Sequence, residues 1–162
     1  MIFKNPLDKL TIILSSVICL IPVGVSLVMS IVEGFDWTSL IVSIVLVPIL
    51  AITWALHPQD YEVTAEGIRI LRPYKSITIP TSSIQGIHAI ETSDLKYSMR
   101  LFGSGGFFGY FGLFTNQKLG RYHIYAGNRQ NPVLILTEKK KYVLTPTDAA
   151  GFIAAVEGFK QA

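Results

Sequence analysis

Leu10–Val32 reads LTIILSSVICLIPVGVSLVMSIV and Trp37–Leu56 reads WTSLIVSIVLVPILAITWAL, runs of 23 and 20 residues with no charged side chain. At about 1.5 Å rise per residue, either run as a helix reaches across a hydrocarbon core of roughly 30 Å. A buried helix of a soluble domain seldom needs more than about 14 consecutive apolar residues. Two transmembrane helices are therefore expected, joined by the short link Glu33-Gly34-Phe35-Asp36. A secretory signal peptide fits the first run poorly. Its apolar region would be about 7–15 residues and would end at a small-x-small site, whereas Leu27-Val28-Met29-Ser30 is a poor one.

The flanks set the orientation. Lys4 and Lys9 precede the first run, the link holds no Lys or Arg, and Arg69, Arg72 and Lys75 follow the second run. Basic residues gather on the cytoplasmic side of a membrane, so a multi-pass inner-membrane protein with both termini cytoplasmic is expected. Trp37 and Trp54 bracket the second run as interfacial aromatics do. Pro22 and Pro48 lie inside the runs, where lipid-embedded helices tolerate them. Neither run carries Asp, Glu, Lys, Arg or His, the residues that mark proton and ion paths. The pair reads as an anchor, with the single cysteine, Cys19, lying mid-run.

Beyond His57-Pro58 the text changes. Residues 57–162 hold 12 of the 14 basic and 8 of the 11 acidic side chains, a balance of +4. Short alternating runs recur between turn signals, which is the pattern of a β-sandwich or barrel. Candidate strands are 60–64 and 67–72, a hairpin around Ala65-Glu66-Gly67, then 75–80, 84–91, 97–102, 119–126, 132–137 and 141–145. Pro146-Thr147-Asp148 starts a helix, with Thr147 or Asp148 as cap. Ala149, Phe152, Ile153, Val156 and Phe159 then recur on one helical face. The division is residues 1–57, a tail plus helices at about 10–32 and 37–56, and residues 58–162, a cytoplasmic domain.

The order of strands and final helix carries a resemblance. The segment from Arg100 to Gly112 (RLFGSGGFFGYFG), Ile77-Thr78-Ile79-Pro80 followed by Ile84, and Tyr142-Val143-Leu144-Thr145-Pro146 resemble the bacterial pleckstrin-homology (PH)-like domain family, in its membrane-anchored branch, over about residues 57–160. The resemblance implies an α+β membrane protein. A two-helix transmembrane hairpin would be followed by a bent β-sheet or barrel of about seven strands capped by the C-terminal helix. It implies no activity, since PH-like domains are mostly binding and scaffolding modules.

Catalytic groupings are hard to assemble from these residues. His57, His88 and His123 sit in separate elements without metal-ligand spacing or a cysteine partner. Ser82, Ser83, Ser98 and Ser104 lack a G-x-S-x-G context. No enzyme activity, metal or cofactor is expected. Two features remain. Between Gly103 and Gly112 stand five glycines with Phe107, Phe108, Tyr110 and Phe111. The run reads either as a bulged hairpin with rings packed across the sheet, or as an exposed loop at the membrane or on another subunit. Adjacent residues of a strand face opposite ways, so at least two of the four rings are expected to point outward, unless the glycines break the alternation with bulges. The second feature is basic: Arg69, Arg72 and Lys75 near the first hairpin and Lys139, Lys140 and Lys141 at the last. These form either a rim for anionic lipid headgroups, as the basic hairpin does in eukaryotic relatives, or solvated tips.

The leading reading is a non-catalytic membrane-anchored module for protein–protein assembly at the cytoplasmic face, as a homo-oligomer or with a membrane-protein partner. The alternatives are an anionic-lipid headgroup-binding module and an accessory subunit of a membrane transporter. Membrane lipids are expected contacts. Nucleic acid is not, because a net +4 spread over strands is too weak a footprint.

Overall fold

A computed structural model describes residues 1–32, 34 and 37–161. Of the link between the apolar runs only Gly34 lies among them. The elements in order are β1 (Ile2–Lys4), α1 (Lys9–Val32), α2 (Trp37–Leu56), β2 (Asp60–Val63), β3 (Gly67–Ile70), β4 (Ile77–Pro80), β5 (Ile84–Ala89), β6 (Met99–Gly105), β7 (Tyr110–Asn116), β8 (Gly120–Ala126), β9 (Val133–Thr137), β10 (Lys141–Leu144) and α3 (Ala149–Gln161). It is an α+β chain with an apolar N-terminal helix, two sheets and a C-terminal helix.

Of the two expected spans, α1 alone among the described residues passes as a helix long and apolar enough to cross a membrane. Among the described residues the apolar stretch of α2 is Leu40–Leu56, at the short end of the roughly 17–25 residues a membrane span takes. The two helices nevertheless lie against each other. Pro22, Ser26 and Ser30 of α1 share a crevice with Val42, Leu46 and Leu50 of α2.

The strands form two sheets rather than one bent sheet of about seven. The first runs β1-β2-β3-β4 and is antiparallel throughout; the second runs β5-β9-β10-β8-β7-β6. In the second sheet β10 pairs in parallel with β8, placing Tyr142 beside His123 and Leu144 beside Tyr125. Two strands lie outside the candidates drawn from alternation. β7 is hidden in the glycine-rich run, where alternation is interrupted. β1 lies before the helices, in the stretch expected to be a tail, yet Phe3 pairs with Tyr61 and Lys4 with Asp60.

Two apolar cores follow from the alternation of the central strands. Val133, Ile135 and Leu144 face one side, joining Tyr61, Ile68, Ile70, Ile79, Phe152 and Val156. Leu134 and Val143 face the other, with Tyr110, Phe114, Tyr122 and Ile124. The helix face expected from the sequence is the one that packs, since Phe152 and Val156 are buried and Ala149, Ile153 and Phe159 lie against them. Asp148 caps the helix, its Oδ1 accepting from the Gly151 amide at 2.9 Å. Thr147 instead ties the chain back to β1, its amide and hydroxyl both donating to the Lys4 carbonyl, at 2.9 and 3.0 Å.

Candidate functional site

The segment between β1 and α1 is sewn into the domain. Asn5 is buried, and its Oδ1 accepts from the Gly127 amide at 2.7 Å and the Thr145 hydroxyl at 3.2 Å. Its Nδ2 donates to the Pro58 carbonyl at 3.2 Å, just beyond the end of α2. Asp8 then starts α1, with Oδ1 accepting from the Thr11 amide at 2.6 Å while its own amide donates to the Gly127 carbonyl. The start of α1 and the end of α2 are thereby held at the same place on the domain.

The glycine-rich run closes against these helix ends. Gly103 of β6 pairs with Gly112 of β7, and a Cβ on Gly103 would sit 2.1 Å from the Phe111 carbonyl oxygen. The strands approach closely because neither residue has a side chain. The turn between them is fastened by Ser104, whose hydroxyl donates to the Phe107 carbonyl at 2.6 Å. The Phe108 amide donates to the Ser15 hydroxyl of α1 at 2.8 Å, and the Phe108 ring lies 6.2 Å from that of His57.

The expected outward rings are not found here. Tyr110 and Phe111 are 6% and 7% exposed, and Phe107 and Phe108 are half-buried. Alternation still holds, with Tyr110 entering the second core and Phe111 the opposite face. That opposite face forms one wall of a cleft whose other wall is α2, a neighbour the strand pattern does not disclose. Outside the two apolar helices, exposed apolar side chains stand instead on β6 and just before it, with Tyr97 at 96%, Phe102 at 79% and Met99 at 66%, and at Tyr74 at 65%.

Under the last turns of α2 the second sheet leaves a cleft of about 550 Å³. Ile52, Thr53 and Leu56 line it on the helix side. On the sheet side stand Phe102, Phe111, Leu113, His123 and Tyr125, with Phe107 from the turn. Cross-strand pairing explains the grouping, since Phe102 pairs with Leu113, Leu113 with His123 and Phe111 with Tyr125. Arg72 and Arg100 also line the cleft. Arg72 is held by the Lys75 carbonyl, to which its Nε donates at 2.9 Å. Burial, helped by the charge of Lys140, holds His123 below its usual range, so the imidazole is neutral at neutral pH. Burial also pushes the Tyr125 phenol up.

The six basic residues singled out from the sequence do not share one site. Arg69 is paired with Glu62 at 3.0 Å across β2 and β3. Lys141 donates to the Leu119 carbonyl at 2.7 Å. Lys139 and Lys140 are exposed at the β9–β10 turn. Of the six only Arg72 lines the cleft, as does Arg100, a residue outside the basic set expected from the sequence. No local signal marks Arg100, because the cleft joins residues that are far apart in the chain. Among the described residues no three or more His, Cys, Asp or Glu side chains gather as metal ligands would.

No curated protein and no solved structure matches this chain. The family model described as a bacterial PH domain matches residues 59–159. Those bounds run from the start of β2 to near the end of α3, taking in both sheets except β1 together with the helix that closes the first core. Sequence pattern and architecture agree, and the chain belongs to the bacterial PH domain family.

Proposed function

We propose that this chain is a non-catalytic PH-like module, anchored by a two-helix transmembrane hairpin with its domain on the cytoplasmic face, that assembles with a second copy of itself. The fold family supports a binding module rather than a catalyst. The hairpin is supported by the knot at Asn5, since helices that start and end at one place on the domain run out and back. Self-association rests on β6. It is the outer strand of its sheet, and Tyr97, Met99 and Phe102 stand exposed on or beside it. An unpaired edge with apolar side chains is a template for another strand, and monomers seldom leave such a patch without use.

The mass of the full chain in detergent tests assembly. A dimer that survives high salt is expected, reduced to a monomer by Met99→Lys with Leu101→Lys at an unchanged melting temperature. A monomeric wild type, or a dimer that persists in the variant, would overturn it. The topology is read separately, in a Cys19→Ser background. A cysteine at Gly34 should react with an impermeant thiol reagent on intact cells and one at Thr81 should not; labelling of Thr81 refutes the orientation.

A further inference from the structure

We propose that the β6–β7 turn is a latch pinned between the two apolar helices, through which the thickness of the surrounding bilayer sets how firmly β6 is held. This names a regulation of the proposed assembly edge and rests on the two-helix membrane reading. Its test is read on the turn itself, apart from assembly.

Two features of the closed latch are unfavourable. Phe108 has φ near +53°, a left-handed conformation that is costly for a bulky side chain. Thr11 lies one helical turn before Ser15, on the same face of α1. It is fully buried, and its hydroxyl has no hydrogen-bond partner among the described residues. A buried polar group left unsatisfied is destabilising, so the residue beneath the latch and the residue that forms it both favour release.

Two holds oppose them. The turn satisfies its own groups elsewhere, since Ser104 takes up the Phe107 amide and carbonyl and the Gly106 amide donates to the Gly109 carbonyl at 3.0 Å. The Phe108 amide alone is given to α1, donating to the Ser15 hydroxyl at 2.8 Å. On the other side the Phe108 ring lies 6.2 Å from that of His57, just past the end of α2, and the His57 ring lies 6.1 Å from that of Trp54. The turn is thus held to α1 by its backbone and to the end of α2 by a ring. Release leaves Ser15 satisfied, because its hydroxyl keeps its donation to the Thr11 carbonyl at 2.7 Å, while water takes up the Phe108 amide. Two arrangements close in free energy are what a switch requires.

The bilayer supplies the bias. The uncharged runs hold 23 and 20 residues, about 35 and 30 Å as helices. A bilayer thinner than the runs makes both tilt, the longer one more. The start of α1 and the end of α2 are fastened to the domain by Asp8 and Asn5, so unequal tilt is concentrated across the turn that joins them. The latch is closed where the bilayer matches the runs and released where it is thin.

Hydrogen exchange of the full chain, read by mass on peptides covering the turn, tests this in nanodiscs of dimyristoleoyl- or dierucoyl-phosphatidylcholine. The turn is expected to exchange at least about tenfold faster in the thinner, dimyristoleoyl bilayer, while β9 and β10 exchange alike in both. Ser15→Ala removes the hold on α1, and its turn should exchange fast in both bilayers. Thr11→Val removes the orphan hydroxyl at nearly equal volume, and its turn should exchange slowly in both. Thermal melting checks that each variant is folded, and Thr11→Val decides alone where Ser15→Ala is not. Equal exchange of the wild-type turn in the two bilayers, a thickness effect that persists in Ser15→Ala, or one spread evenly over the domain overturns the proposal. A turn that responds in a chain that stays monomeric supports the latch and removes the assembly reading. A dimer whose turn does not respond overturns the latch alone.

Discussion

Asp94 and Lys118 show how much a single pair can carry at the residue scale. Asp94 closes the short turn Thr92–Leu95, its Oδ2 accepting from the Glu91 amide at 3.2 Å, while Lys118 donates to its Oδ1. The hydrogen bond from Lys118 holds the Asp94 carboxyl below its usual value, and Asp94 in turn raises the Lys118 ammonium. A carboxyl lowered on folding contributes stability above its unfolded value of 3.8 and loses it as pH falls through the lowered one. An ammonium raised on folding contributes below 10.5 and loses it as pH rises through the raised value. Lys118→Met should therefore lower the melting temperature modestly near neutral pH, with the gap to wild type closing in strong acid and strong alkali. A gap that is flat across pH would show that the ion pair contributes nothing. The sequence shows Asp94 only as a turn residue; its partner is 24 positions away, a separation that no local pattern reveals.

Elements carry the clearest contrast between what is and is not legible in the sequence. The face of α3 is legible because a helix repeats its apolar positions at a spacing set by its own geometry. The β6–β7 hairpin is half legible: its glycines and rings stand out, but its turn is fastened to Ser15 of α1 and its face looks across the cleft to α2, neighbours that the strand period does not encode. At this scale the Gly103–Gly112 pair makes a sharp prediction. Gly103 has φ near +108° and lacks room for a Cβ, so Gly103→Ala strains the backbone and pushes the strands apart. Gly158, on α3, has nothing within 4 Å of a built Cβ, and Gly→Ala in a helix interior gains roughly 0.5–1 kcal/mol. Melting curves should move in opposite directions for the two variants. Equal tolerance of both would mean that the close approach of β6 and β7 is not required.

At the scale of the whole molecule, the apolar runs and the domain that follows them are legible, because composition changes sharply at His57-Pro58. That the two parts interlock is not. Strand β1 and Asn5 precede the helices, while their partners Tyr61, Pro58 and Thr145 follow them. A fragment of residues 58–162 thus lacks an edge strand, the Phe3 ring that meets Phe152 at 5.2 Å, and the side chain that satisfies the buried Gly127 amide. Unsatisfied buried groups typically cost about 1–3 kcal/mol each. The fragment is expected to melt well below the full chain and to regain stability when a peptide of residues 1–8 is added. Equal melting temperatures with and without the peptide would show that β1 is dispensable.

The same interlock orders events during synthesis. The ribosome releases β1 first and its partner β2 only after both helices have been made, so this sheet cannot close until the hairpin exists. In the proposed topology, β1 and β2 meet only if the chain crosses the bilayer an even number of times. A chain whose second helix stalled outside would leave β1 on one side and the rest of its sheet on the other. Completion of the sheet would then act as a proofreading step for insertion, leaving misinserted copies incompletely folded and open to quality-control proteases.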